Sequence, residues 1–238
     1  MKVTSSFHLI PPIFKSLLNG IIDLIYPPLC LVCEQRLDPG ETDICQSCLA
    51  AFNLLGHPHK SFSVPGEIHI DTAWPLFDFD APLQKVIHHL KYSRRRKPII
   101  TILNHYAENI LSQLPKQGID YIISIPLHPT KYRERGYNQV DDISDWLAEK
   151  LGAEVGRQFV RRNRYTETQT KLSAEERQQN VKDAFSVSGE TLRDSHVLLV
   201  DDVLTTGATA NSLAMVLRQA GVKKIDLVTL STPQHGNA

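Results

Sequence analysis

The feature that most constrains the fold of this chain is the segment Val197–Thr209, with the sequence VLLVDDVLTTGAT. Its first four residues are apolar, which is typical of a central parallel strand that is covered on both faces. Leu213, Val216 and Leu217 then follow at helical spacing, and Gly221 is expected to end that helix. A buried strand that leads directly into a helix indicates an α/β fold with a mostly parallel sheet.

Two acidic residues, Asp201 and Asp202, come at the carboxyl end of this predicted strand. Ligands of open α/β sheets bind outside the carboxyl ends of the strands, so both carboxylates are expected on the binding edge. Carboxylates only accept hydrogen bonds, and the vicinal hydroxyls of a ribose donate them. The pair is therefore predicted to bind a ribose.

The residues that follow the acidic pair predict a phosphate site at the start of the helix. They are Thr205, Thr206, Gly207, Ala208 and Thr209. Unpaired backbone N–H groups and the positive end of the helix dipole favour an anion, the glycine allows the backbone to approach it, and the threonine hydroxyls add donors. An ordinary strand–turn–helix joint, in which Asp202 or Thr206 only caps the helix, is the alternative.

The whole pattern resembles the fingerprint of type I phosphoribosyltransferases. The resemblance implies that Asp201 and Asp202 hold the ribose hydroxyls of phosphoribosyl pyrophosphate, and that residues 205–209 hold its 5′-phosphate. We also expect Mg²⁺ as a cofactor, bound mainly by ligand oxygens and water. A Walker-type nucleotide loop fits less well, because no Gly-Lys-Ser/Thr follows the strand.

Four cysteines near the front of the chain have the spacing of a zinc site. They form two Cys-x-x-Cys pairs, Cys30 with Cys33 and Cys45 with Cys48. Each pair makes a tight turn that directs two thiolates at one ion, and two such turns close a tetrahedral site without an open position. The spacing predicts a structural Zn²⁺ in a ribbon over residues 27–56. Disulfides are the alternative, which a cytoplasmic setting disfavours.

The net charge gives no global argument for nucleic acid or an anionic membrane, because 26 basic residues balance 26 acidic ones among 238. No apolar run has the length of a membrane span and no secretory signal pattern is present, so we expect a cytoplasmic location without stable membrane insertion. Residues 10–26, within an N-terminal region over 1–26, have the pattern of an amphipathic helix. Its apolar stripe is expected to pack on the protein itself, and a membrane or a partner is the alternative.

Two basic segments are candidates for contact with phosphates. Lys91 and Tyr92 open a run of cations, for which contact with pyrophosphate or nucleic-acid backbone and a solvated surface are both open. The second segment follows a predicted strand over 121–126. Its cations are Lys131, Arg133 and Arg135. They suit a loop that wraps a diphosphate, and a plain basic surface loop is the alternative.

A third segment, residues 161–172, is polar and lacks helical or strand periodicity. It is predicted to be a mobile lid that excludes water from the site, and a short helix over 174–181 is expected after it. Disorder without function is the alternative. The remaining predicted elements, within a domain over residues 68–235, are a strand over 70–79, a helix over 82–90 and a helix over 140–151.

Taken in order, these motifs resemble the ComF/GntX family of competence-associated proteins. The resemblance covers nearly the whole chain and is carried by the four-cysteine ribbon, HLKY at 89–92, IPLH at 125–128, RERGYNQ at 133–139, Gln169-Thr170 and VLLVDDVLTTGAT. It implies a zinc ribbon joined to a phosphoribosyltransferase domain. Because some members support uptake of single-stranded DNA, it also implies DNA and DNA-uptake proteins as partners.

Two functions follow from these patterns. One is a phosphoribosyltransferase of unidentified acceptor, whose catalytic group would be Asp201, Asp202, Lys131, Arg133 and Arg135. The other is a non-catalytic accessory protein that retains the fold and binds single-stranded DNA. Glutamine amidophosphoribosyltransferase has a similar pyrophosphate loop, but this chain begins Met1-Lys2-Val3 without a catalytic cysteine, so ammonia channelling is not expected.

Overall fold

A computed structural model describes residues 27–56, 58, 64, 66–92, 97–115, 118–163 and 184–233. Several predictions lie outside these residues. They are the N-terminal amphipathic helix, the three arginines of the cation run, most of the lid segment and the helix over 174–181.

The strands form one parallel sheet and one short antiparallel pair. They are β1 (Thr72–Asp78), β2 (Tyr121–Ser124), β3 (Glu154–Val155), β4 (Val160–Arg162), β5 (Phe185–Val187), β6 (His196–Val203) and β7 (Lys224–Thr232). Five of them make a sheet in the order β1–β7–β6–β2–β3, in which all neighbours are parallel. The other two, β4 and β5, pair antiparallel. The predicted α/β class with a parallel sheet is confirmed.

Strand β6 lies at the centre of the sheet and is covered on both faces. Side chains alternate along a strand, so Leu198 and Val200 pack in the hydrophobic cluster on one face, and Val197 and Leu199 pack in the cluster on the other. All four are fully buried. The sequence pattern predicted that the acidic pair follows the strand. The strand extends to Val203, so the pair lies within its last residues.

Seven α-helices occur among the described residues. They are α1 (Gln46–Leu49), α2 (Ala81–Tyr92), α3 (Lys97–His105), α4 (Ala107–Gln113), α5 (Pro129–Arg135), α6 (Asp141–Leu151) and α7 (Ala208–Gln219). Helices α2, α3 and α6 cover one face of the sheet, and α7 with the β4–β5 strand pair covers the other. The helices predicted over 82–90, over 140–151 and after Gly207 are confirmed. No helix of the described part of the chain is both long and apolar enough to cross a bilayer.

The segment that carries Lys131, Arg133 and Arg135 was predicted to be a loop, and it is helix α5. Pro129 occupies the first turn, where its missing N–H costs no hydrogen bond. The imidazole Nδ1 of His128 accepts a 3.2 Å hydrogen bond from the Thr130 backbone N–H and caps the helix. Gly136 ends it with a φ of 78°, a conformation that glycine adopts without strain.

The beginning of the predicted lid is also regular. Arg161 and Arg162 belong to β4, opposite Ser186 and Phe185 of β5. The guanidinium carbon of Arg162 lies 5.4 Å from the centre of the Phe185 ring, so a cation–π contact stabilises a strand that has no apolar alternation.

The zinc-ribbon region shares its core with the sheet. The Phe52 ring lies edge-on to the Phe77 ring of β1, with 6.3 Å between centroids. The hydroxyl of Tyr106 donates to the carbonyl oxygens of Leu49 and Phe52, each at 3.0 Å. Cys30 and Leu37 belong to the same hydrophobic cluster as α2 and α3. The ribbon is therefore packed against the helical face of the sheet domain.

Candidate functional site

Asp201 and Asp202 lie where β6 emerges from the core at its carboxyl end. Asp201 is in register with Thr229 of β7, and the strand ends one residue after Asp202. Because side chains alternate along the strand, Asp202 lies on the α2 and α6 side of the sheet and Asp201 on the α7 side. The two carboxylates of the acidic pair therefore lie on opposite sides of the sheet.

The Asp202 carboxylate is the centre of a polar network. Its Oδ2 lies 2.6 Å from Nζ of Lys91, at the end of α2. The same oxygen accepts a 2.9 Å hydrogen bond from Nε2 of Gln139, and Oε1 of Gln139 accepts a 2.7 Å hydrogen bond from the guanidinium of Arg135. A single chain of contacts thus joins α2, the end of α5 and β6.

The Asp201 carboxylate has an unusual protonation equilibrium. Desolvation by burial, followed by the negative charge of Asp202, raises its pKa from 3.8 to about 7. A hydrogen bond from the Asp202 backbone N–H to its Oδ1, at 2.8 Å, and the cations Lys91 and Arg162 oppose this rise. At neutral pH the pair is therefore close to the point at which one carboxylate gains a proton.

The loop between β6 and α7 forms a cradle at the start of a helix. Gly207 is the N-cap residue with a φ of 79°. Because glycine has no side chain, it makes no side-chain capping hydrogen bond. Thr206 Oγ1 accepts a 3.3 Å hydrogen bond from the Ala208 backbone N–H. Thr205 and Thr206 are exposed, whereas the hydroxyl of Thr232 holds the loop base by donating to the Leu204 carbonyl at 3.0 Å. This geometry suits an anion at the positive end of the α7 dipole.

The three cations of α5 do not form one cluster. Lys131 pairs with Glu134 at 3.4 Å, Arg133 is exposed, and Arg135 contacts Gln139. Residues two positions apart on a helix point in directions about 200° apart, so Arg133 lies on a different side of α5 from the other two. Only Arg135 is linked to the acidic pair through the contacts described above.

Two residues near the acidic pair were not predicted to act on it. Gln139 belonged to a sequence motif to which no function was given. A polar side chain that is only 4% exposed indicates a hydrogen-bonded role, but its burial is known only from the structure. Arg162 was assigned to the lid, and its charge acts on Asp201 from the β4 strand. Neither contact could be found from spacing, because the partners lie on separate elements.

The connection from α5 to α6 is held in place from two sides. The Tyr137 hydroxyl donates to the carbonyl oxygen of Leu90, at the end of α2. The Asn138 side-chain amide donates to the carbonyl of Ile125, just after β2, at 3.0 Å. These bonds position Gln139 against the carboxyl end of β6.

The four cysteines come together as the spacing predicted. Their sulfur atoms lie within 4.8 Å of one another, and Sγ of Cys33 is 3.8 Å from Sγ of Cys45. Tetrahedral zinc with Zn–S bonds of about 2.3 Å requires sulfurs about 3.8 Å apart, so the donor set fits. The backbone N–H groups of Val32 and Cys45 each donate to Sγ of Cys30 at 3.4 Å, which stabilises a thiolate. Four thiolates leave no open position, and the zinc is structural.

Two family models match this chain. Residues 21–59 match the double zinc ribbon domain, and residues 134–237 match the phosphoribosyl transferase domain. Competence protein F of Haemophilus influenzae is 43% identical over 215 residues, which are 83% of this chain and 94% of that protein. The chain belongs to the ComF family. Both domains implied by the motifs are present in this ComF-family chain.

Other relatives of this ComF-family chain have names that refer to DNA or to competence. DNA utilization protein YhgH of Salmonella typhi is 30% identical over 220 residues, covering 86% of this chain and 96% of that protein. Competence protein ComFC of Streptococcus pneumoniae is 32% identical over 125 residues, covering 52% of this chain and 54% of that protein.

Solved phosphoribosyltransferases are more distant from the ComF-family chain. An adenine phosphoribosyltransferase is 15% identical with a TM-score of 0.35, covering 74% of this chain and 85% of that chain. Glutamine phosphoribosylpyrophosphate amidotransferase from B. subtilis is 21% identical with a TM-score of 0.37, covering 51% of this chain and 24% of that chain. This chain therefore matches about a quarter of the length of the amidotransferase. A likeness at this level carries no information on activity.

Proposed function

We propose that this protein binds phosphoribosyl pyrophosphate with Mg²⁺ at the carboxyl edge of the sheet and transfers the phosphoribosyl group to an acceptor in the cytoplasm. The observation that carries the proposal is the joint from β6 to α7. It presents two carboxylates and a glycine-capped helix start within a few residues of each other. A ribose 5-phosphate requires acceptors for its hydroxyl groups and an anion site for its phosphate, and the two must lie close together.

Different residues bind different parts of the ligand. Asp201 and Asp202 accept hydrogen bonds from the ribose hydroxyls, and the 5′-phosphate lies in the cradle formed by residues 205–209. The leaving pyrophosphate lies towards Lys131 and Arg135, which share one side of α5, whereas Arg133, which the sequence placed with them, lies on another side. Mg²⁺ bound to the ligand oxygens and water neutralises charge on the pyrophosphate.

The transfer is a substitution at C1 of the ribose. The bond between C1 and the pyrophosphate oxygen breaks, and pyrophosphate leaves with the electron pair. The acceptor supplies the electron pair for the new bond to C1 and loses its proton to solvent. Because bond breaking precedes bond making, positive charge develops on the sugar, and the fixed carboxylates stabilise it.

The test is calorimetric titration of the zinc-loaded protein with phosphoribosyl pyrophosphate and Mg²⁺. Saturable binding is expected for the wild type, with loss of binding in the double variant Asp201→Asn and Asp202→Asn. A matched control is Asp38→Asn with Asp194→Asn, because both are exposed acids outside the site and Asp194 has a φ of 61°, which asparagine also adopts. Absence of binding by the wild type would sink the proposal.

A second candidate function is binding of single-stranded DNA in DNA uptake during competence, together with DNA-uptake proteins. The names of the relatives favour it, and so does Tyr132. This residue is 50% exposed on α5, between Lys131 and Arg133. An exposed aromatic ring next to cations suits stacking on a base and contact with its phosphates.

The two candidate functions predict opposite effects of the same substitution. Carboxylates repel a DNA backbone, so Asp201→Asn with Asp202→Asn should strengthen binding of a labelled oligothymidylate if DNA occupies the site. Fluorescence anisotropy at two salt concentrations measures this. Unchanged DNA binding together with lost sugar-phosphate binding would place the DNA elsewhere and favour the transferase.

A further inference from the structure

Lys91 reaches the acidic pair from a helix end that is itself fixed. Its Nζ is 2.6 Å from Oδ2 of Asp202, and the two side chains are only 24% and 13% exposed. The preceding residue, Leu90, accepts the hydrogen bond from the Tyr137 hydroxyl. The ammonium group is therefore held against Asp202 by the packing of α2, not by a mobile surface contact.

The Lys91 ammonium and the Gln139 amide bind the same oxygen of Asp202. Oδ2 accepts from Gln139 Nε2 at 2.9 Å while it contacts Lys91. A carboxylate oxygen has two lone pairs, so these two donors occupy both on Oδ2. They determine the orientation of the carboxylate that faces the binding edge.

Charges on several elements act on the acidic pair. Desolvation and the adjacent Asp202 charge raise the pKa of Asp201, and Lys91 from α2 and Arg162 from β4 lower it. Arg135 is linked to the pair through Gln139. On the neighbouring strand β7, the residues in register with Asp201 and Val203 are the uncharged Thr229 and Ser231. Lys91 is in direct contact with the Asp202 carboxylate.

We infer that Lys91 is a positioning residue: it holds Asp202 in the orientation that accepts the ribose hydroxyls, without binding the diphosphate itself. Its charge also opposes protonation of Asp201. The inference rests on the proposed function, because it concerns the sugar part of the same ligand. The partner of Lys91 is then Asp202, and not the pyrophosphate or nucleic-acid backbone that the sequence suggested.

The experiment compares Lys91→Met with the wild type on two ligands at two pH values. Methionine keeps an unbranched apolar side chain, so the packing of α2 should be retained. The ligands are phosphoribosyl pyrophosphate with Mg²⁺ and ribose 5-phosphate, which lacks the diphosphate. The ratio of variant to wild-type Kd is measured at pH 6.5 and pH 9, so that ionisation of the ligand cancels.

The expected result is a loss of about tenfold for both ligands at pH 6.5 that shrinks to about twofold at pH 9, where Asp201 is ionised without help. Lys91→Arg retains the charge and should bind both ligands as the wild type does. Lys150→Met is the matched control. Lys150 lies in the last turn of α6, pairs with Glu149, and is expected to have no effect.

The other outcomes overturn the inference in distinguishable ways. A loss confined to phosphoribosyl pyrophosphate and equal at both pH values would show that Lys91 binds the diphosphate directly. An unchanged Kd for both ligands would show that Lys91 has no role in the site. If Lys91→Met unfolds, Lys91→Gln is compared with Lys91→Arg in the same way. Failure of the wild type to bind either ligand would refute the proposed function and this inference together.

Discussion

Gln139 and Asp202 are 63 residues apart in the chain, and Nε2 of Gln139 donates a 2.9 Å hydrogen bond to Oδ2 of Asp202. Gln139 is 4% exposed, and its other side-chain atom accepts from Arg135. One amide side chain therefore links the end of a cationic helix to the carboxylates at the end of a central strand.

Replacement of this amide should weaken the binding of phosphoribosyl pyrophosphate. In Gln139→Leu, Asp202 loses a donor and Arg135 loses an acceptor, at a cost of about 1.5 kcal/mol, or tenfold in Kd. Titration calorimetry measures the change. Gln219→Leu is the control, because Gln219 is exposed at the far end of α7. Equal affinities for the wild type and Gln139→Leu would show that the link does not organise the site.

Substitution of Asp201 by asparagine should stabilise the protein at high pH. The folded protein holds the Asp201 proton up to a pKa of about 7, whereas the unfolded chain releases it near 3.8. Stability from this group therefore falls as pH rises from about 4 to 7, and the full penalty is present above pH 7. Asp201→Asn removes the penalty, and we expect a gain of about 2 kcal/mol at pH 8, below the full linkage value because the residue is partly exposed.

Urea unfolding at pH 8 and pH 4 measures this effect. The gain should shrink to a few tenths of a kcal/mol at pH 4, where Asp201 is protonated in the folded state and about 40% protonated in the unfolded chain. Asp202→Asn is the contrasting variant. It weakens the pairing with Lys91 and should destabilise the protein at pH 8. A wild type that is as stable as Asp201→Asn at pH 8 would contradict the assigned environment of Asp201.

A comparison with Gly152 separates the role of Gly207 in phosphate binding from the effect of its backbone conformation on stability. Gly207 caps the start of α7 with a φ of 79°, and Gly152 ends α6 with a φ of 67°. Alanine at either position should cost about 1 kcal/mol of stability, because L-residues disfavour this conformation. Open space surrounds the position that a Cβ would take at Gly152.

Only one of these two alanine variants should affect ligand binding. We expect Gly207→Ala to weaken ribose 5-phosphate binding at least tenfold, because the added methyl group hinders close approach of the phosphate to the backbone. Gly152→Ala should bind as the wild type does. Thermal unfolding and calorimetry on the two variants measure both effects. Equal affinities would show that the phosphate does not lie in the cradle.

Removal of zinc should destabilise the whole described core and not only the ribbon. Phe52 and Leu49 contact Phe77 and Tyr106 of the sheet domain, so an unfolded ribbon exposes part of the shared hydrophobic cluster. We expect one zinc per chain by elemental analysis. Chelation, or Cys33→Ser with Cys48→Ser, should lower the midpoint of a single unfolding transition. Two separate transitions, with the higher one unchanged, would show that the ribbon is independent.

Several parts of the fold followed from local patterns. The apolar run of β6 predicted a strand covered on both faces, and the Cys-x-x-Cys pairs predicted the sulfur cluster. Helix α5 was mistaken for a loop because three cations in seven residues hide its capping signals, Pro129 and Gly136. The start of the lid was missed for a related reason: Arg162 is held in β4 by the distant Phe185 ring.

The sequence by itself determined the features that depend on neighbouring residues: the β6–α7 joint, the glycine at its turn, the zinc spacing and the helices over 82–90 and 140–151. Only the tertiary structure decided that Lys91, Gln139 and Arg162 are the residues that act on the acidic pair. These contacts depend on which strands are adjacent and which helix covers each face. Adjacent strand residues point to opposite faces, so two neighbouring carboxylates acquire different partners that no local pattern contains.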